Sequence, residues 1–300
     1  LDSVLVLGTL GLSGGAFVQN DLSLGNGATL NLGNGNLYFK SSGQQHITSG
    51  GASTINLAGG AIYAGYSVSG QTLELGSGVT LQGYGNLVES SAATVINSGT
   101  IDANTSGKTF NLDATSFYNN GALKASSGTL SLSPTNWNNS GTMAVAGSGD
   151  LKLNFDTTTA GLGTVSRSGG TVHFNGVLNN SAATLDIGGS GIFGSGGLTG
   201  LGGTIKHGTL LSGDNTVLNS SGTLDGVTVS GTLGTSGSIS IQHDLTLDHA
   251  AVLNLGASNV YFGQSGTAHI ASAGTSTINL AGATLYAGYG VSGQTLHLDS

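Results

Sequence analysis

The sequence predicts an all-β fold, a parallel β-helix solenoid with coils of about 20 residues, and three observations carry that expectation. Apolar and polar residues alternate with a period of two in short runs along the whole chain, and no run shows capped helical periodicity. Gly, Ser and Asn close the runs after four or five residues. Equivalent apolar positions then return at intervals of about 20 residues, the length one coil of two or three short strands requires.

Taken in order, the runs are TLNL from Thr29, TINL from Thr54, TLEL from Thr72, TFNL from Thr109, TLSL from Thr129, LKLNF from Leu151, TVHF from Thr171 and TLDI from Thr184. Each places apolar side chains on one face, with Thr and a variable polar residue on the other. Phe110, Leu130, Leu151 and Val172 mark one recurrence, and Leu185, Ile205 and Leu224 a second. A further recurrence sets an Asn before a small-residue corner in VINSGTIDA, FYNNGALKA, WNNSGTMAV, LNNSAATLDI and VLNSSGTLDGV. In stacked coils these Asn side chains would form a ladder; the alternative is the ordinary preference of Asn for turns. Sandwiches and barrels fit less well, because their hairpins do not require one residue type to return at the same corner. The segments TTTAGLGTVSRSGG and YAGY break the spacing and are expected to be longer loops. About fourteen to fifteen coils would then fill the chain.

A longer repeat overlies the short one. Leu1 to Ser77 aligns without a gap on Leu224 to Ser300, 223 positions later, with 47 of the 77 pairs identical. Residues 1–300 are therefore expected to form one continuous solenoid and to be a segment of a longer array. Neither end carries an evident polar cap, which points to further coils or to association of the chain with itself into filaments.

Composition narrows the function. Charged residues make up 7% of the 300, against about 25% in ordinary domains, so Gly, Ser, Thr and Asn must keep the surface wet. One Pro excludes collagen and polyproline, and the regular Val, Ile and Leu placement argues against disorder. Six scattered basic residues against fourteen acidic ones give a net charge of −8, a poor footprint for nucleic acid. No Cys is present, so there is no thiolate chemistry, and no apolar run reaches the roughly 18 residues of a membrane span.

VINSGTIDA, FYNNGALKA and WNNSGTMAV resemble the β-helical repeats of secreted bacterial adhesins of the filamentous haemagglutinin and autotransporter-passenger kind, and GTLDGVTVSGTL resembles segments of giant bacterial surface proteins. The resemblance implies a right-handed β-helix, secretion and a place at the cell surface. It supplies no catalytic residues, since none of this chain's positions matches such a motif.

Candidate chemistry is sparse. Asp186, Lys206 and Asp225 recur about 20 residues apart at outward positions and are expected to stack as acid, base, acid, either a glycan-cleaving group or a plain charge ladder. His46 and His269 are equivalent in the long repeat but have no second ligand at metal spacing, and Asp150 is isolated, so no metal or cofactor is expected. Tyr63 and Tyr66 in YAGY, repeated as Tyr286 and Tyr289, are candidate contacts for a glycan or a partner; the plainer alternative is packing over a coil corner. An ice-binding face is not expected, because only one Thr column recurs and its neighbour varies as Asn31, Glu74, Ser131, His173 and Asp186. The expected function is that of a non-enzymatic structural or adhesive segment of an extracellular fibre or stalk. A carbohydrate-binding or carbohydrate-active β-helix is the competing expectation.

Overall fold

A computed structural model describes residues 1–299. The chain is an all-β parallel solenoid of about 13 turns, each of about 22 residues. Both figures depart slightly from the expected coil of about 20 residues and count of fourteen to fifteen, and the loops explain why. Gln44 pairs with Thr72, 28 positions on, because the chain between them makes an outward loop at YAGY. Val177 pairs with Thr204, 27 positions on, across a turn-rich insert over 187–199. The only helix among the described residues is the single turn Thr159–Leu162 inside TTTAGLG, capped where Thr158 Oγ1 accepts from Gly161 N–H at 2.9 Å. Among the described residues no helix is long and apolar enough to cross a membrane.

The residues fall into two compact units, Leu1–Phe155 with Val165–Thr171, and Asp156–Thr164 with Val172–Ser300. In the first unit each coil contributes three rungs to three parallel columns. One well-formed coil comprises Thr94–Asn97, Thr100–Ala103 and Thr109–Asp113, and the next stacks on it in register as Ser116–Asn119, Ala122–Ala125 and Thr129–Leu132. Period-two alternation sends every second side chain inward, so like stacks on like. Leu73, Val95, Phe117 and Trp137 form one inward file, and Leu81, Ile101, Leu123 and Met143 another. Trp137 closes its file between Phe117 at 5.9 Å and Phe155 at 4.5 Å. Burying each such side chain stabilises the fold by about 1.5–3 kcal/mol, which is how a chain with few charges and no disulfide holds together.

Some strands run far beyond four or five residues. Ser53–Ala64 and Val79–Glu89 each pass through two columns, bending at glycines with left-handed φ, Gly59 at +106° and Gly83 and Gly85 at +110° and +140°. A residue without Cβ lets the ladder turn the corner at the cost of a one-residue register shift, Ala58 pairing with Tyr84 and Ala61 with Asn86.

The Asn ladder exists in the first unit. Asn97 Nδ2 donates to Asn119 Oδ1 at 2.8 Å, and Asn119 Nδ2 donates to Asn139 Oδ1 at 2.8 Å; Asn97 and Asn119 are fully buried. It does not extend to the second unit. There Asn180 is buried but bonds the Ala183 and Thr209 carbonyls and accepts from Thr159 Oγ1, while Asn219 points outward and Ser220 takes the buried place beside it.

In the second unit three columns again form. One holds Val177–Asn179, Thr204–Lys206 and the start of Thr223–Val229; another holds Thr184–Asp186 and Thr209–Leu211; the third stacks the end of Val165–Phe174 (172–174), then Gly200–Leu201 and Val217–Ser220. The insert over 187–199 contributes Ile187, Phe193 and Leu198 to the core.

The long repeat supplies an internal control on burial. Leu57 and Leu75 are 3% exposed, as expected of inward positions, whereas their equivalents Leu280 and Leu298 are 42% and 70% exposed. In the first unit, 79–83 and Thr94–Asn97 lie over the former pair as the next rungs. Gln45 is a second control. It points inward at 4% exposure, its Oε1 accepts no hydrogen bond from the protein, and the equivalent position is the fully buried Ala268. Its Nε2 donates to the adjacent Gln44 carbonyl at 2.8 Å, so Gln45→Leu loses one bond but removes an unsatisfied buried carbonyl, and is expected to raise stability by about 1 kcal/mol in urea unfolding.

Candidate functional site

Outward-facing aromatic side chains gather into one cluster in each unit. In the first unit Phe17, Tyr38 and Tyr63 are register partners on successive coils and point outward from one column. Tyr63 stacks on Tyr38 with centroids 4.9 Å apart and 15° between planes, and Phe17 lies 5.3 Å from Tyr38. Tyr66 folds back from the loop onto Tyr38 at 4.6 Å. Lys40 Nζ sits 4.3 Å from the Phe17 centroid and 5.9 Å from that of Tyr66. Stacking of this kind contributes about 0.5–1.5 kcal/mol per pair and the exposed cation–π contact about 0.5–1.

The second unit repeats the arrangement without its ends. Tyr261 and Tyr286 stack at 5.0 Å and 17°, and Tyr289 packs on Tyr261 at 4.3 Å. Ser240 replaces Phe17 and Gly263 replaces Lys40, so this copy has neither the third coil's ring nor the cation. In both copies a buried or half-buried glutamine holds the loop. Gln71 Oε1 accepts from Gly65 N–H at 2.6 Å and its Nε2 donates to the Ser41 carbonyl at 2.6 Å; Gln294 makes the equivalent bonds to Gly288 and Gln264. Sequence spacing found Tyr63, Tyr66, Tyr286 and Tyr289. It missed Tyr38, Tyr261 and Phe17, although NLYF and NVYF lie one 25-residue coil before the two YAGY segments.

The expected acid, base, acid stack is half right. Lys206 and Asp225 are register partners with Nζ 3.4 Å from Oδ2. Asp186 does not join them: the corner at 180–183 carries it onto a different column, where it faces Leu211, and the residue stacked on Lys206 is Asn179. Asp225 is buried and its other oxygen bonds His243 Nδ1, a partner that sequence spacing did not place there. His243 follows Asp225 by a short coil of 18 residues and holds a left-handed φ of +57°.

Asp186 instead ties the insert to the next coil. Burial pushes its carboxyl up, but hydrogen bonds from Ser190 Oγ and the Gly213 and Gly188 N–H groups outweigh this and hold it below the ordinary range. Asp214 accepts from Thr216 Oγ1, Gly189 N–H and Thr216 N–H, which bring it down to about 2. A depressed carboxylate contributes stability that is complete above its unfolded value near 3.8 and is lost as pH falls through about 2. Asp214→Ala should therefore make the melting temperature fall less steeply between pH 4 and 2 and leave its slope near pH 7 unchanged.

His46 and His269 are held alike. The His46 N–H donates to Asp21 Oδ1 at 2.7 Å and the His269 N–H to Asp244 Oδ1 at 2.9 Å. His46 Nδ1 also lies 3.1 Å from Asp21, while His269 stacks at 5.2 Å on His297, the residue that replaces Glu74. Among the described residues no group of three or more His, Asp or Glu is placed to hold a metal ion. Asp150 accepts from Thr171 Oγ1 at 2.8 Å and pairs with Lys152 Nζ at 3.6 Å.

Outward polar residues are bonded rung to rung. Thr9, Thr29, Thr54, Thr80 and Thr100 stand in one file. Beside it Asn56 Nδ2 donates to Asn31 Oδ1 at 2.7 Å and Gln82 Nε2 to Asn56 Oδ1 at 2.9 Å. Compared with known proteins, the chain matches no family model, no curated protein and no solved structure.

Proposed function

We propose that the chain is a non-enzymatic structural and adhesive solenoid that works outside the cell, as part of a bacterial surface fibre or stalk. The observation that supports this best is the character of its outward surface: files of hydroxyl and amide groups joined along the solenoid, interrupted by exposed aromatic ladders. Such a surface is nearly uncharged, and each unit presents a tyrosine stack on it.

The test is adhesion. Beads coated with the chain should bind intact cells or matrix, and Tyr38→Ala with Tyr66→Ala should reduce binding about tenfold or more, because the middle ring of the ladder and the loop ring packed on it are lost. Beads that bind equally well with and without these rings would overturn the role of the ladder. Surface labelling of the producing cell should find the protein outside it.

The second reading, a carbohydrate-active protein, is favoured by one feature, the buried Asp225 between Lys206 and His243. Turnover of a polysaccharide by the intact chain that disappears in Asp225→Asn would replace the structural reading with this one.

A further inference from the structure

The second unit carries a polar groove whose shape is set by two glycines. On the column that stacks the end of Val165–Phe174, Gly200–Leu201 and Val217–Ser220, the outward line runs His173, Gly200, Asn219, and a parallel line runs Asn175, Gly202, Ser221. The middle rung thus has no side chain on this face, and a cleft of about 210 Å³ opens over it.

Neither glycine is needed by the backbone. Gly200 and Gly202 have no left-handed φ, unlike many glycines at the corners. A Cβ at Gly200 would first meet His173 Nδ1 at 2.4 Å, and one at Gly202 would meet Asn175 Oδ1 at 2.6 Å. At the corner glycines Gly60, Gly83 and Gly203 the first atom met is instead a backbone carbonyl oxygen. What glycine preserves at 200 and 202 is therefore the position of two polar side chains leaning over an empty rung.

The lining decides the ligand class. The carboxamide of Asn219 and the hydroxyl of Ser221 can each donate and accept, which matches the paired hydroxyls of a sugar ring, while His173 and Asn175 wall the cleft with polar surface. No charged side chain lines the cleft, so nothing there repays the desolvation of an anion or cation. On the next rungs of the same column the device recurs. Gly234 lies between Val217 and Asn254 in register, a Cβ there would meet Val217 Cγ2 at 3.2 Å, and a second cleft of about 350 Å³ opens. Asn219 of the first cleft and Val217 of the second stand two apart on one strand, and Val217 is 52% exposed, an apolar patch suited to the C–H face of a sugar. The second cleft alone reaches the lower end of the size range of ordinary small-ligand sites.

We infer that this face of the second unit binds a short, uncharged oligosaccharide, with hydroxyls on Asn219 and Ser221, between walls made by His173 and Asn175, and a ring over Val217. The site is independent of the tyrosine ladder, because Tyr261 and Tyr286 belong to a different column.

The experiment is titration calorimetry of the whole chain with neutral gluco-, manno-, galacto- and xylo-oligosaccharides, alongside uronate and sulfated counterparts. Saturable binding of at least one neutral series is expected, weakened about tenfold or more by Asn219→Ala, which removes an outward side chain, and by Gly202→Val, which fills the floor. Tyr261→Ala should leave it unchanged. Far-UV circular dichroism separates misfolding of Gly202→Val from loss of the site, and Asn219→Ala keeps the test valid if that variant unfolds. Absence of neutral binding at 10 mM, a preference for the acidic series, or binding abolished by Tyr261→Ala but untouched by Asn219→Ala would overturn the inference; the last outcome would leave the adhesive role of the tyrosines standing.

Discussion

Gly83→Ala is expected to destabilise the first unit by about 3 kcal/mol or more, one of the two largest effects of a single substitution in this chain. Val79–Glu89 turns a corner at Gly83 without leaving the ladder, so its φ of +110° is fixed by pairing to Ser53–Ala64 on both sides of the bend. An L-residue is strained there by about 1–3 kcal/mol before any packing is considered. Packing makes it worse: a Cβ would lie 2.0 Å from the Leu57 carbonyl oxygen, and backbone cannot move aside as a side-chain tip can. Gly107→Ala is the control. Gly107 also has a left-handed φ, +68°, but a Cβ there would have no atom within 4 Å, so only the conformational cost of about 1 kcal/mol remains. Urea unfolding of the two variants should differ by about 2 kcal/mol or more. Equal costs would mean that the corner relaxes and that its tight approach is not what glycine protects.

The legible part of this fold is the part that depends on one coil. Period two placed Ile55, Leu57, Leu73 and Leu75 inside, and all four are buried. Burial also needs the following rung, which 79–83 supplies for Leu57 and Thr94–Asn97 for Leu75. Spacing along the chain placed Lys206 beside Asp225 because both fall in the same strand of consecutive coils, and it failed for Asp186 because a corner intervenes. Asn56 and Glu74 face outward as expected but are not idle: Asn56 belongs to an amide file, and Glu74 accepts from Ser98 Oγ at 2.8 Å. The tyrosine ladder was half legible, since YAGY advertises itself by repetition and Tyr38 does so only once coils are laid in register. The cleft over Gly200 and Gly202 was not legible at all. In a chain with 55 glycines, two more carry no signal until the atoms that a Cβ would meet are known.

Asn119→Leu should cost about 2–4 kcal/mol, although it puts a larger apolar side chain into a buried site. Asn119 is the middle member of the ladder, accepting from Asn97 and donating to Asn139, and its Nδ2 also approaches the Thr142 carbonyl at 3.4 Å. Removing it leaves the buried Asn97 Nδ2 with only the Ala122 carbonyl at 3.3 Å and takes the Asn119 donor from Asn139 Oδ1, and the low dielectric of the interior makes the loss at Asn97 expensive. Shape is a smaller part of the cost, because the rung below already carries a leucine: Leu75 is the register partner of Asn97 and is buried at the same corner. That leucine is also why Asn97 Oδ1 accepts no hydrogen bond, the open end of the ladder. A double-mutant cycle separates the two contributions. If the network is the cause, Asn97→Leu with Asn119→Leu moves the open end two rungs along and orphans fewer groups than the two single variants together. The pair should then cost about 1–2 kcal/mol less than their sum. Strict additivity would mean that leucine is rejected for its shape, and that the Asn recurrence reflects the turn Asn-x-Gly makes at each corner rather than the ladder above it.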